Sequence, residues 1–174
     1  MPNLIPEKLN NFAVYLEGAE LLGIADGNFP SVEFMTTEIK GAGIAGTLDS
    51  PALGHTQSIT VTLNWRTVTE QFTRIAAPRG HALELYGETL AFDAGSGTYK
   101  SQRVHVYMRA LTKKFDMGKL AVVESMEAQT EHEVYYLKVM LDGAVKVELD
   151  KYNYVFVVDG EDYLSDTRRA LGKM

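Results

Sequence analysis

Glu38–Trp65, EIKGAGIAGTLDSPALGHTQSITVTLNW, divides into two halves of opposite character. From Gln57 to Trp65 the residues alternate without a break, with Ile59, Val61, Leu63 and Trp65 on one side and Ser58, Thr60, Thr62 and Asn64 on the other. Side chains of an extended chain point alternately to its two faces, so this is a strand with one face in a core and the other in water. The preceding residues 41–56 carry Gly41, Gly43, Gly46 and Gly54, with Pro51 among them and no run of large apolar side chains. That composition predicts a loop that forms neither helix nor strand. A connection of about fifteen residues is long, and such loops are functional or mobile. Ile44, Leu48 and Leu53 are spaced along it. Aliphatics in a flexible segment suit either a surface loop or an arm that orders on a partner, where small buried contacts offset the entropy of fixing the backbone.

Outward from this stretch the chain is mostly strand. A tail runs to Lys8, and Asn11–Glu17 follows as a strand with Phe12, Val14 and Leu16 on one face. Gly18 turns it, Leu21–Ala25 is the expected return strand, and Asp26-Gly27-Asn28 signals a tight turn. A strand from Pro30 to Lys40 leads into the loop. Beyond Trp65 the spacing of Val68, Phe72 and Ile75 predicts an internal helix over about residues 67–77, with Thr67 and Glu70 as its capping box and Pro78 and Gly80 ending it. Leu83 and Leu85 then give way, across Gly87, to Leu90 and Phe92, a change of phase that predicts a bulge at the glycine. Asp93–Gly97 is a hairpin turn into a strand carrying Val104, Val106, Met108 and Ala110 opposite Arg103, His105, Tyr107 and Arg109, and Gly118 marks the next connection. Odd positions are polar at Glu127, Gln129, Glu131 and Glu133 but apolar from Tyr135 to Leu141, which calls for a bend or a change of environment. Asp142-Gly143 has the signature of a type I′ hairpin, and a short helical segment, Ser165–Leu171, lies in the C-terminal segment 160–174. The pattern predicts one domain over residues 1–174 that is mainly β: an antiparallel sandwich or partly open barrel with long hairpins and one internal helix.

Composition narrows the function. The 174 residues hold 45% hydrophobic side chains, enough for a core, and a net charge of −6 argues against tight nonspecific binding to nucleic acid. With no cysteine, disulfides, thiol nucleophiles and Cys-ligated zinc are excluded. There is no leader pattern and no stretch of eighteen apolar residues, so the chain is expected to fold in the cytoplasm without a membrane anchor. The four histidines, His55, His81, His105 and His132, form no ligand motif, and His132 between Glu131 and Glu133 reads as an exposed strand residue. Gly95-Ser96-Gly97 lacks the spacing of a nucleophile elbow, and GAGIAG precedes a loop and a strand rather than opening a helix, so it is no dinucleotide fingerprint. Arg109, Lys113 and Lys114 read as a solvated rim. No enzyme and no cofactor is expected.

The order of EIKGAGIAG, LD, GH and the strand ending LNW, together with NFAVYLEG at residues 11–18 and VDGEDYLSDTRRALG at 158–172, resembles the major tail tube protein of contractile-tailed phages and R-type bacteriocins. The resemblance extends over nearly the whole chain. It implies a β-rich subunit that forms hexameric rings, stacked into a hollow tube inside a contractile sheath, with baseplate and tail terminator proteins as further partners. It also implies that the long loop, with Gly41, Gly43, Ile44, Gly46, Leu48, Asp49, Leu53 and His55, touches the neighbouring ring. Such a subunit is made in the host cytoplasm and ends in the virion or tail-like particle. Polar strand faces in a tube look into the channel, which marks Glu33, Ser58, Thr60, Thr62, Asn64, Glu131, Glu133 and Glu148 as lumen candidates. An acidic or hydroxyl-lined bore would let DNA pass without binding it tightly. Arg168 and Arg169 either complement the negative end of the terminal helix or, as the resemblance allows, dock on the next subunit. A ring protein of a type VI secretion conduit and, more distantly, a monomeric β-sandwich binding module are the alternatives.

Overall fold

Thr60–Trp65 is a strand whose Val61, Leu63 and Trp65 are buried, as is Ile59 just before it. The structure, a computed structural model, describes residues 3–21 and 23–173. Leu22, within the expected return strand, lies outside the described residues, as do Met1, Pro2 and Met174 of the expected domain. In chain order the elements are β1 (Leu4–Leu16), β2 (Ala19–Glu20), β3 (Ile24–Asn28), β4 (Phe34–Lys40), β5 (Thr47–Thr56), β6 (Thr60–Trp65), α1 (Glu70–Ile75), β7 (Gly80–Asp93), β8 (Thr98–Asp116), β9 (Ala128–Leu141), β10 (Ala144–Asp150), β11 (Val155–Val158), β12 (Glu161–Asp162) and α2 (Ser165–Ala170). The fold is mainly β, every strand pairing is antiparallel, and the arrangement is sandwich-like rather than a closed barrel.

Two long strands carry the architecture. β8 pairs with β7 from Thr98 to Leu111 on one edge and with β9 from Val104 to Asp116 on the other, and β9 divides its other edge between two partners. Its first half, Ala128–Glu133, pairs with β6, and its second, from Tyr136, pairs with β10. The register against β8 slips between them, Ala110 opposing Val134 and Arg109 opposing Tyr136, so Tyr135 is an extra residue. This bulge is the bend that the change of phase predicts. Before it the even positions Ala128, Thr130, His132 and Val134 are buried; after it Leu137 is. One strand can thereby belong to two layers that close on the same core.

That core joins Val14, Leu16, Leu83, Leu85, Val106 and Met108 to the buried side of β6, with Phe72 and Ile75 of α1 between the layers. Phe72 meets Trp65 edge to face at 5.7 Å, and the Trp65 indole donates to Thr130 Oγ1 at 3.1 Å. Edge-to-face rings and a satisfied indole N–H are how a large aromatic is buried without loss.

Several local expectations are corrected. The tail before Lys8 is strand, pairing from Leu4 with the end of β7, although its side chains stay exposed. β2 is the return of the first hairpin, while Ile24 pairs with Trp65 of β6. Asp26-Gly27-Asn28 is therefore no turn but part of β3: a Cβ on Gly27 would stand 2.8 Å from the Thr62 carbonyl, and the glycine is there to let two backbones approach. The strand expected from Pro30 begins at Phe34. The cap of α1 is Thr69, whose Oγ1 accepts from Phe72 N at 3.2 Å, not Thr67, and the helix is only six residues long. No bulge occurs at Gly87, where the β7–β8 register is continuous; the irregularities are in β1, which skips Glu7 and Asn10 in its pairing with β7. The Asp142-Gly143 turn is as read, with φ of +48° and +86°.

Candidate functional site

β4 and β5 form a two-stranded sheet apart from the main one, with Ile39 opposite Leu48, Glu38 opposite Asp49 and Lys40 opposite Thr47. The segment predicted to form no regular structure is thus a strand from Thr47 to Thr56, and only residues 41–46 are loop. A ribbon with water on both sides needs backbone pairing but no apolar face, and each of its strands has a free edge that tolerates Pro51. Gly41, Gly43 and Gly46 at its tip all have positive φ, which a tight reversal requires. The base is fixed to the body by Phe34 against Phe156, edge to face at 5.5 Å. Along the ribbon Ile39 and Leu48 are paired on one face and exposed, Met35 is exposed where the pairing slips at the foot, and Ile44 is exposed at the tip; Leu48 and Leu53 are 56% and 58% accessible. Glu38 and Lys40, paired at 3.2 Å, and Asp49 occupy the other face, while His55 lies near the base.

The second surface is the outer side of β6 and the first half of β9. Thr60 stands opposite Glu133, Thr62 opposite Glu131 and Asn64 opposite Gln129. The Glu133 carboxylate accepts from Ser58 Oγ, from Ile59 N at 3.3 Å and from Lys151 Nζ at 3.3 Å. Partial burial pulls its pKa up, but the hydrogen bonds from Ser58, Lys151 and Ile59 outweigh that and leave it below the ordinary value. Asn64 bridges Gln129 and Asp26, and Glu131 pairs with Lys113 at 3.2 Å. Ser58, Thr60, Thr62, Asn64, Glu131 and Glu133 are thereby gathered on one continuous polar face. The other two lumen candidates lie on neighbouring elements: Glu33 is exposed at the foot of the arm, and Glu148 sits on β10 with Tyr136 Oη at 2.7 Å and Lys138 at 3.5 Å.

The two terminal arginines differ. Arg168 binds Asp162 and donates to the Tyr154 carbonyl at 2.8 Å, so it is engaged within its own chain, and its guanidinium holds the Asp162 carboxyl below its usual pKa. Arg169 is exposed and reaches Asp166 at 3.0 Å.

His132 is not exposed but wholly buried, since the glutamates flanking it take the outer face of β9 and leave it the inner one. Thr112 Oγ1 donates to the Ile75 carbonyl at 2.7 Å, so the 3.2 Å contact between Thr112 Oγ1 and His132 Nδ1 has the ring as donor. Burial first, and then the neighbouring His81, lower the His132 pKa to about 4. His81, also buried, donates from Nε2 to the Ala77 carbonyl at 3.0 Å. Among the described residues no three His, Asp or Glu side chains converge as a metal site would need.

Sequence reasoning placed a connection at Gly118 but missed the exposed aliphatics of the segment between β8 and β9, residues 117–127. Leu120, Val122 and Val123 there are 94%, 93% and 99% accessible. The signal was present in the run Leu120-Ala121-Val122-Val123, apolar residues with no strand assigned to bury them.

The molecule thus carries exposed aliphatics on the β4–β5 ribbon and on residues 117–127, and a continuous polar face on β6 and β9. Residues 6–172 match the family described as phage tail tube protein FII, and the chain belongs to that family of structural tail components. The tail tube protein of Escherichia phage P2 is 26% identical over 179 residues, covering 97% of this chain and 98% of that one. A cryo-EM structure of the sheath/tube terminator of an extracellular contractile injection system, PVC, in its extended state, matches with a TM-score of 0.55 at 14% identity, over 78% of this chain and 96% of that chain, a likeness of fold. The resemblance to contractile-tail tube proteins read from the sequence is therefore a family relationship. Among the described residues no helix is long and apolar enough to cross a membrane.

Proposed function

We propose that copies of this chain close into hexameric rings that stack into the inner tube of a contractile tail, with the outer face of β6 and β9 lining the channel. The observation that carries this reading is the continuous polar face from Ser58 to Asn64 and Gln129 to Glu133, backed by a dry core: a bore needs a wettable wall on a rigid sheet. Asp26, Glu131 and Glu133 dominate its charge, with Lys113 and Lys151 tied to carboxylates, so phosphates find few free cations and DNA slides rather than binds. The β4–β5 arm crosses to the neighbouring ring. The sheath surrounds the tube, baseplate and terminator proteins meet its ends, and assembly takes place in the host cytoplasm.

The absence of cysteine makes the wall testable by labelling. Thr62→Cys is expected to react with both a small maleimide and a bulky polymer-linked maleimide in free subunits, but only with the small one in assembled tubes. Arg169→Cys serves as the comparison position away from the wall. Equal labelling of Thr62→Cys by the bulky reagent before and after assembly would place this face outside the bore.

A further inference from the structure

The arm leaves the body at one end of β6, where Gln57 N bonds the Glu33 carbonyl at 2.8 Å. Loop 117–127 is fixed at the other end, where Met126 N and Ser125 Oγ both donate to the Arg66 carbonyl, at 2.7 and 2.9 Å. The two anchor points are roughly 30 Å apart at the usual rise of a strand. The loop is a built element rather than slack chain. Its neck is closed by Lys119 N to the Met126 carbonyl at 2.8 Å, and the Lys119 ammonium bridges Glu124 and Glu127 at 3.1 and 3.2 Å. At the neck a Cβ on Gly118 would fall 1.9 Å from the Met126 carbonyl, so the two legs touch. Beyond this neck Leu120, Val122 and Val123 are held in water, and Val123 has a φ of +64°. A β-branched residue in the left-handed region is strained, and here the strain serves no contact within the chain.

We infer that this loop is the socket for the arm of a second copy, with Leu120, Val122 and Val123 receiving Met35, Ile39 and Leu48. The occupant follows from placement. Both exposed aliphatic clusters belong to one chain and are carried by elements rooted at opposite ends of the same strand, and a head-to-tail contact joins two different patches of identical subunits, leaving one free at each end to continue the stack. The arm presents its aliphatics on one face of a ribbon, and the loop presents three nearly bare side chains as the counter-surface. This rests on the reading of the arm as the contact between rings and names what the arm grips.

Two variants test it. One carries Ile39→Ser and Leu48→Ser on the arm; the other carries Leu120→Ser, Val122→Ser and Val123→Gly on the loop. All five positions are exposed, and glycine suits the φ of Val123, so both are expected to unfold at the wild-type temperature or above. Should the triple variant misfold, Leu120→Lys with Val122→Lys, at side chains outside every packing contact, reads the same outcome. Each buried aliphatic contributes about tenfold or more to an association constant, so neither variant alone should yield tubes by negative-stain microscopy. Mixed, they retain one intact arm and loop pairing, and particles of twice the single-variant mass should appear in sedimentation without tubes. Tubes from the loop variant, with none from the arm variant, would overturn the socket and leave the arm reading standing. Tubes from the arm variant would overturn both. Two assembly-dead variants that fail to pair when mixed would also overturn it, placing the loop in some other contact.

Discussion

Gly54 at the base of the arm and Leu164 at the start of α2 touch so closely that a Cβ on the glycine would stand 2.5 Å from Leu164 Cδ1. Leu164 is only 4% exposed, and Gly54 has a φ of +68°. The arm's foot and the C-terminal segment are thus one packed unit. Gly54→Ala must push Leu164 aside and strain the backbone, at a cost of about 1–3 kcal/mol. Urea denaturation is expected to show a lower midpoint with an unchanged slope, and an unshifted midpoint would show that Leu164 yields freely.

How far the sequence discloses this structure depends on what each element buries. β6 was legible because one face enters the core and the other meets water, which imposes strict alternation. The β4–β5 ribbon was not, because neither of its faces enters a core; glycines and a proline then look like loop, although backbone pairing alone makes the strand. The sequence marks the arm's aliphatics Ile44, Leu48 and Leu53 but not their geometry. His132 was misjudged for a different reason. Glu131 and Glu133 cannot be buried unpaired, so the even positions of β9 had to face inward, and Thr130 and His132 are polar residues that a core accepts once hydrogen-bonded. The lumen candidates on β6 and β9 converge because their strands are neighbours along Ala128–Glu133, whereas Glu148 is on β10, beside the second half of β9, and Glu33 precedes β4, a separation that spacing along the chain does not encode.

Trp65 and Thr130 give a direct measure of one such buried polar pair. Thr130→Val keeps the shape but removes the acceptor of the indole N–H, so an unpaired donor remains in a site with no access to water. The expected loss is about 1–3 kcal/mol. Thr130→Ser keeps the acceptor and is expected to retain the hydrogen bond while losing only a methyl group. The single tryptophan reports both unfolding transitions by fluorescence, and a valine variant as stable as the serine one would rule out the bond as a stabilising element.

His132 sets an acid limit on stability. Its pKa is about 4 when folded against about 6.5 when unfolded, so between those values the unfolded chain binds the extra proton. The contribution is complete above pH 6.5, declines as pH falls through about 4, and totals about 3 kcal/mol. Asp93, Glu133 and Asp162 are held below ordinary carboxylate values and protonate below most of this window. His132→Asn retains a donor for Thr112 and does not titrate. It is expected to be less stable at pH 7 but to show a flatter stability profile from pH 7 to 4.5. An unchanged slope would assign the acid sensitivity to other groups.

The arm itself is expected to be dispensable to the fold and required for the tube. Its sheet is separate from the main one, and its side chains beyond Phe34 contribute nothing to the core cluster. Replacing Thr36–Pro51 by a short glycine turn leaves Phe34 and the Gly54 contact in place, and shortening a flexible closure changes its entropy little. The truncated chain should therefore remain folded, with an unfolding temperature near that of the intact protein. What it loses is the apolar face of Ile39 and Leu48 with the tip at Ile44, and with it, on the proposed function, the expected stacking of one ring on the next. Pairing of strand edges within a ring is expected to use other elements and to survive. Thermal unfolding together with negative-stain microscopy is expected to show a folded protein that forms rings but no tubes. Tubes of normal length would make the arm a surface ornament, and an unfolded product would make the ribbon part of the folding unit instead.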